Sequence, residues 1–190
     1  MTLITIEFSP GKVVEVVQGN ILDETSDAIV NPANSQLAHA GGLAAQIVRA
    51  GGPKIDEDSQ TYIRMVGQLD IGKALLMPGH NLKSRFVIHA VGPLWQNSGM
   101  EPRLLFDAVF NSMKTASDVG LKSISIPAIS TGIFGFPKQD APRIFFKGLK
   151  EFFRQNPSTS LTLVRFVNLD DVTSRLFLEE AKAFEKSLKK

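Results

Sequence analysis

The sequence predicts an α/β fold in which helices cover both faces of a central β-sheet. Short apolar runs rich in β-branched residues alternate along the chain with longer segments of helical periodicity. Several of these runs are almost continuously apolar, as expected of strands that are buried on both sides. The length of 190 residues suits a single core, so we expect one domain over residues 1–190.

Seven segments have the composition of strands. Valine, isoleucine, leucine and phenylalanine dominate most of them, and the turn sequence Ser9-Pro10-Gly11 ends the first. In chain order the predicted strands are Leu3–Phe8, Val13–Val17, Ala28–Val30, Ala74–Met77, Phe86–His89, Ser123–Ile126 and Leu161–Val167.

Five segments have the apolar spacing of an amphipathic helix. The clearest follows Asp140, where Ile144, Phe145 and Leu149 recur at intervals of one helical turn. A short helix is predicted to begin at the glycine pair Gly41-Gly42. The predicted helices are Ala44–Val48, Lys54–Val66, Leu104–Ala116, Ala141–Phe152 and Val172–Leu188.

The composition argues against several classes of protein. The chain has no cysteine, and its three histidines lie far apart in sequence, so we expect no disulfide, no thiolate chemistry and no metal site. The formal net charge of +2 is too small for strong nucleic-acid binding. No apolar run approaches the ~20 residues that span a membrane, and no basic stretch precedes the first apolar residues. We therefore expect an intracellular protein with no membrane segment.

Two loops carry the residue types of a ligand site. The first, Asn31–Ser35, follows a predicted strand and leads through His39 to Gly41-Gly42 at a predicted helix start. Ligands of α/β proteins usually bind beyond the carboxyl ends of strands, and glycines at a helix N-terminus suit a phosphate. Asparagine amides can donate to and accept from ribose hydroxyls. An asparagine-rich turn without a ligand is the alternative.

The second loop is Pro127–Phe136, which also joins a predicted strand to a predicted helix. Ser130, Thr131 and two glycines can form a concave nest of backbone N–H groups for an anion, and Phe134 offers a flat apolar face beside it. A diphosphate needs donors on both sides, so the two loops support one another as one site. A plain connection with Phe134 and Phe136 in the core is the alternative.

Two further features are interpreted as structural. Gly67–Ala74 has the spacing of a phosphate-binding loop up to Lys73, but Ala74 replaces the hydroxyl residue that would bind Mg²⁺. His89 ends an apolar strand, and we expect it to be a hydrogen-bonded core residue rather than a catalyst. His39 is expected to shape the first loop.

Five short motifs occur in order between about Val17 and Val167. They are Gly19-Asn20-Ile21, Asn31–Asn34, Ala40–Leu43, His89–Pro93 and Pro127–Gly135. In this combination they resemble the motifs of the macro domain family, an ADP-ribose-binding family. The glycine-rich segments are most similar to the first macro domains of the large macro-containing ADP-ribosyltransferases.

The resemblance implies a three-layer α/β/α sandwich with a central mixed sheet and an ADP-ribose site at the strand ends. Asn20 and Ile21 would meet the adenine, and Asn34 would bind the distal ribose. The other implied ligand residues line the diphosphate, the distal ribose and the adenine: Ala33, Gly41, Gly42, Leu43, Ala128, Ser130, Thr131, Gly132, Ile133, Phe134, Val167 and Asn168.

Three positions depart from the family pattern. Asn20 replaces an Asp that accepts from the adenine amino group, so this contact lacks charge assistance. Val167 stands where many relatives have an adenine-stacking aromatic residue, a role that Phe166 would take only by shifting. Ala44 lies ten residues after Asn34, where one hydrolase branch carries a catalytic Asp.

Two functions follow from the resemblance. One is metal-independent hydrolysis of mono-ADP-ribose from acidic side chains, in which Asn34, Gly42 and Phe134 hold the distal ribose while a phosphate-bound water attacks. The alternative is a non-catalytic reader of mono-ADP-ribosylated proteins or free ADP-ribose. In both, the partners are ADP-ribose or mono-ADP-ribosylated proteins, no cofactor is needed, and we expect a monomer.

Overall fold

The structure of the protein is a computed structural model that describes residues 1–189. It is built on one seven-stranded mixed sheet. The strands occur in the order β1-β2-β7-β6-β3-β5-β4, with β1 and β4 antiparallel to their neighbours. The five central strands are parallel, so their carboxyl ends lie along one edge. The bounds are β1 (Thr2–Ser9), β2 (Lys12–Gln18), β3 (Ala28–Ala33), β4 (Ala74–Pro78), β5 (Phe86–Val91), β6 (Ser123–Ile126) and β7 (Leu163–Asn168).

Helices cover both faces of this sheet. Helices α1 and α2 pack on one face, and α3, α4 and α5 pack on the other, which confirms the predicted three-layer α/β/α sandwich. A short 3₁₀ turn at Ile21–Asp23, not expected from the sequence, follows β2. None of the helices within residues 1–189 is long and apolar enough to cross a membrane. The α-helices are α1 (Gly42–Gly51), α2 (Pro53–Val66), α3 (Glu101–Asp118), α4 (Ala141–Gln155) and α5 (Asp171–Leu188).

An aromatic cluster holds β7 in the middle of the sheet. Phe166 on β7 packs edge-on against Phe145 and Phe146 of α4, and Phe177 of α5 completes the group. All four side chains are buried. Aromatic pairs of this geometry add about 0.5–1.5 kcal/mol each beyond the area that they bury. The cluster therefore fixes the strand whose last residue, Asn168, reaches the functional edge.

Six of the seven strands end one to three residues later than the sequence indicates, and the extensions of β3 and β7 place further residues at the carboxyl edge of the sheet. β3 continues through Asn31 and Pro32 to Ala33, so Asn31 is a buried strand residue rather than part of a loop. Pro32 is tolerated because β6 pairs only with Ala28 and Ile29, which leaves β3 paired with β5 alone at the proline. β7 runs to Asn168.

Candidate ligand-binding cleft

A cleft of about 460 Å³ lies where the five parallel strands end. Its volume is in the usual range for a small-molecule site, and its position is the one that parallel α/β sheets offer to ligands. The structure brings all fifteen sequence-predicted ligand residues to its walls. Residues that the sequence analysis missed also line it, including Gly92, Leu169, Asp170 and Thr173.

The loop after β6 forms one wall as a nest of backbone donors. Ser130 adopts a left-handed conformation with φ of 68°, and Thr131 Oγ1 donates to the Ala128 carbonyl at 2.8 Å, which fixes the turn. Within residues 1–189 no acceptor meets the N–H groups of Gly132, Ile133 and Phe134. Such strained turns with free N–H groups are typical of anion sites.

The loop from Asn34 to Gly42 forms the opposite wall. Asn34 closes this loop on itself, because its Nδ2 donates to the Ala38 carbonyl at 2.7 Å while its Oδ1 accepts from Ala38 N at 3.0 Å. One amide proton and one lone pair of Asn34 stay free to meet a ligand. Gly42, with φ of 60°, then starts α1, whose first N–H groups have no partner within the helix.

The two walls approach one another at Ile133. A Cβ atom at Gly42 would lie 3.0 Å from Ile133 Cδ1, and one at Gly41 would lie 3.4 Å from it. The Ile133 side chain is 76% exposed, so it covers the glycines from the solvent side. The narrow middle of the cleft therefore lies between two sets of backbone donors.

The far end of the cleft is built from Asn20, Ile21, Val167 and Leu169. Asn20 Oδ1 accepts from Leu22 N at 3.0 Å, so one lone pair of this oxygen and the two amide protons stay free to meet a ligand. Val167 is only 1% exposed, and Phe166 points into the core, so neither can stack on a base. The exposed apolar side chain here is Leu169, at 70%. The only sequence signal for it is its place directly after a strand.

Asn168 joins three elements beneath the cleft. Its Oδ1 accepts from Ala128 N at 3.1 Å, and its carbonyl accepts from Gly19 N at 2.9 Å. The side chain is only 5% exposed, and its Nδ2 has no partner within residues 1–189. A buried donor without a partner at a cleft wall indicates a ligand acceptor.

The cleft offers little for acid–base catalysis. Its one lining carboxylate within residues 1–189, Asp170, caps α5 by accepting from Thr173 N and Thr173 Oγ1. Burial acts to raise the pKa of Asp170, but these hydrogen bonds and nearby Lys138 outweigh it and lower the pKa. Asp170 is therefore a poor proton acceptor. Ala44 lines the opposite wall, and within residues 1–189 no three metal-binding side chains converge.

The fold and the cleft together define a three-layer α/β protein with a site for an elongated anionic ligand. The chain belongs to the Macro domain family, whose sequence profile matches residues 30–145.

Relatives and solved structures agree with this assignment. A Thermotoga maritima protein is 46% identical over 90% of this chain, which spans only 28% of that relative's length. An Escherichia fergusonii protein named O-acetyl-ADP-ribose deacetylase is 41% identical over 86% of this chain and 92% of its own. The Oceanobacillus iheyensis macrodomain with ADP superposes with a TM-score of 0.91 at 29% identity, covering 97% of both chains. The Trypanosoma brucei macrodomain in complex with ADP-ribose gives 0.80 at 26% identity, covering 90% of this chain and 68% of its own.

Proposed function

We propose that the cleft binds ADP-ribose and that the protein hydrolyses mono-ADP-ribose from acidic side chains. The observation that carries the proposal is the pair of opposed backbone walls, Gly41–Leu43 and Gly132–Phe134, which meet at the narrow middle of the cleft. A diphosphate placed there receives N–H donors from both sides and the positive end of the α1 dipole. The complexes of the similar macrodomains with ADP and ADP-ribose support this choice of ligand.

The two ends of the cleft differ in chemistry, and this difference orients the ligand. The end with Ile21 and Leu169 is apolar with amide groups at its edge, which suits a purine. The opposite end holds Asn34, Gly42 and Phe134, which suit a ribose that carries hydroxyl groups. The adenosine is therefore assigned to the Asn20 end and the distal ribose to the Asn34 end.

Because the cleft has few acid–base groups, we expect it to cleave a bond whose leaving group needs no protonation. Hydrolysis of an acyl ester at the anomeric carbon expels a carboxylate, whose conjugate acid has a pKa near 4, so no general acid is needed. An O-glycosidic bond to an alcohol, as in a serine linkage or within a poly(ADP-ribose) chain, expels an alkoxide and needs a proton donor. The cleft, in which Ala44 and the capped Asp170 flank the ligand, favours the ester.

The proposed reaction uses water as the nucleophile. A water held by the ligand's own phosphate attacks the anomeric carbon, the bond from that carbon to the carboxyl oxygen breaks, and the freed carboxylate takes the electron pair. The water loses its proton to the phosphate or to solvent. Asn34, Gly42 and Phe134 contribute by holding the ribose in the reactive orientation.

The name of the Escherichia fergusonii relative favours a second substrate, O-acetyl-ADP-ribose. This too is an ester, but its deacetylation is a different step: water attacks the acyl carbon, acetate is released and a ribose hydroxyl is the leaving group, so the argument about the carboxylate leaving group does not extend to it. A reader without catalytic activity is the third possibility, since the cleft can bind ADP-ribose without turning over a substrate.

Calorimetry and a turnover assay test the proposal together. We expect ADP-ribose to bind with micromolar affinity, about −8 kcal/mol, and to bind equally well in EDTA. We expect release of free ADP-ribose from a glutamate-linked peptide and none from a serine-linked peptide. Absence of binding at millimolar ligand contradicts the site. Saturation with ADP-ribose while the glutamate-linked peptide and O-acetyl-ADP-ribose both stay intact makes the protein a reader.

Replacing Asn20 by Asp should tighten ADP-ribose binding by about 1 kcal/mol, roughly fivefold. One carboxylate oxygen can keep the bond from Leu22 N while the other accepts from the adenine amino group with charge assistance. Calorimetry with ADP-ribose measures the gain. Ribose 5-phosphate, which has no adenine, is the control and should show none. Weaker ADP-ribose binding after this change would mean that Asn20 donates to the ligand.

Replacing Gly92 by Ala should weaken both folding and binding. The new Cβ would lie 2.2 Å from Ser130 Oγ and 2.6 Å from Ile129 Cγ2, so the loop after β6 must move. Overpacking of this kind costs about 1–3 kcal/mol. Thermal unfolding and ADP-ribose titration measure the two losses. Adding Ser130→Gly removes one of the clashing atoms and should recover part of both, whereas a further loss would contradict this cause.

A further inference from the structure

A buried polar cluster lies directly beneath the first wall of the cleft. His39, two residues before Gly41, contacts Asn31 on β3 and Ser59 on α2, and its ring stacks on His89 of β5 with centres 5.0 Å apart. Asn31, Ser59 and His89 are fully buried, and His39 is partly buried. The cluster thus ties the loop from Asn34 to Gly42 to three elements of the fold.

Ser59 determines which nitrogen of His39 carries the proton. The single Ser59 hydroxyl proton is donated to the Ile55 carbonyl at 2.7 Å rather than to Met77 Sδ at 3.9 Å. Ser59 Oγ must then accept from His39 Nε2, 3.0 Å away, which leaves a lone pair on His39 Nδ1.

The Asn31 amide donates to that lone pair. Its Nδ2 lies 3.3 Å from His39 Nδ1 and 2.9 Å from His89 Nδ1, so its two protons are shared between two neutral imidazoles. The Asn31 Oδ1 and His89 Nε2 atoms are buried without a partner in residues 1–189. The Asn31 amide can therefore donate to both histidines only while both imidazole rings are neutral.

We propose that His39 is a positioning residue for the cleft and that it must be neutral for the first wall to keep its binding shape. A proton added at His39 Nδ1 turns this atom into a donor that faces the Asn31 donor, and the contact is lost. Rotating the amide restores the contact only if His89 also changes to its Nδ1–H tautomer, so a proton on His39 forces a rearrangement on both sides of Asn31. This rearrangement displaces His39 and the backbone from Ala38 to Gly42. The inference rests on the proposed function, since ADP-ribose is its probe.

The groups around His39 determine how its pKa shifts and therefore how pH changes the affinity for ADP-ribose. Burial lowers the pKa of His39 below its ordinary value and outweighs Asp56 on α2, which acts to raise it. Burial and the neighbouring His39 lower the pKa of His89 to about 3, so His89 stays neutral while His39 titrates. Among residues 1–189 these are the titratable groups that face His39. Because the neutral form binds, affinity is complete above the His39 pKa and falls as the pH drops through it.

The test is calorimetry of ADP-ribose at about pH 7.5 and at a lower pH at which nitrogen NMR of the three imidazoles shows His39 to be mostly protonated. We expect the Nε2–H tautomer for His39 at the higher pH, at least a fivefold loss of affinity at the lower pH, and release of a proton on binding there. His39→Gln can offer oxygen to Asn31 and nitrogen to Ser59 without titrating. It should keep the affinity within about threefold at the higher pH and lose the pH dependence.

Two further variants distinguish a positioning role of His39 from a general loss of structure. His39→Ala should weaken binding at both pH values. His80→Gln changes a histidine that pairs with Asp58 in a turn away from the cleft, and it should keep the wild-type pH dependence. A wild-type affinity that is unchanged at the lower pH, an Nδ1–H tautomer, or a pH dependence that disappears with His80→Gln overturns the inference. Absence of binding at the higher pH contradicts the proposed function instead.

Discussion

Replacing Gly42 by Val is expected to abolish ADP-ribose binding, with a loss of at least about 3 kcal/mol, or roughly a hundredfold. Gly42 has φ of 60°, a region that costs a β-branched residue about 1–3 kcal/mol. Its Cβ would lie 3.0 Å from Ile133 Cδ1, and the two added methyl groups would occupy the narrow middle of the cleft. Calorimetry measures the binding, and turnover should be lost with it.

Two further variants make this result interpretable. Ala50→Val adds the same two methyl groups to an exposed position of the same helix, and it should leave binding unchanged. Combining Gly42→Val with Ile133→Ala removes the nearest contact but leaves the methyl groups in the cleft, so binding should stay lost. Full recovery in the double variant would show that the displaced Ile133, and not filling of the cleft, causes the effect.

Replacing Asn34 by Ala is expected to lower the rate of ester hydrolysis by about a hundredfold while affinity for ADP-ribose falls by less than about tenfold. The change removes the free amide proton and lone pair that face the distal ribose. It also removes the two bonds that hold Ala38 and so loosens the loop. Loss of orientation affects the transition state more than the bound ground state.

Single-turnover kinetics with the glutamate-linked substrate, beside calorimetry with ADP-ribose, separates the two effects. Gln36→Ala is a suitable control because Gln36 is exposed in the same loop and lies outside the cleft walls. It should change neither quantity. Equal losses of rate and affinity in Asn34→Ala would show that Asn34 contributes to binding alone.

The general location of the cleft could be predicted from the sequence. Apolar runs that alternate with helices predict a mostly parallel sheet, and the ends of parallel strands meet at one edge. Asn34 and the segment from Ser130 to Phe134 follow two such strands, so their convergence follows from topology alone. The glycine pair and the motif order then identified the family before any geometry was known. The individual roles of these residues in binding and catalysis stay predictions.

Finer features depended on which way each side chain points. Asn31 looked like a ligand residue, yet it is buried, because β3 continues through Pro32 where β6 no longer pairs with it. Val167 and Phe166 lie on opposite faces of β7 and both enter a core, which leaves Leu169 exposed at the purine end. Successive residues of a strand point to opposite faces of the sheet, so a strand that ends one residue later presents a different side chain to the cleft. No local pattern in the sequence showed where β7 ends.

The sequence by itself determined the fold class, the family and the edge of the sheet where a ligand would bind. Only the tertiary structure decided that Asn20 Oδ1 already accepts from Leu22 N, that Asn168 keeps a buried donor without a partner at the cleft, and that the Asn31 amide contacts two histidines at once. The physical reason is that periodicity and turn chemistry act over a few neighbouring residues. Hydrogen-bond polarity, in contrast, is set by partners such as Ser59 that come from distant segments of the chain.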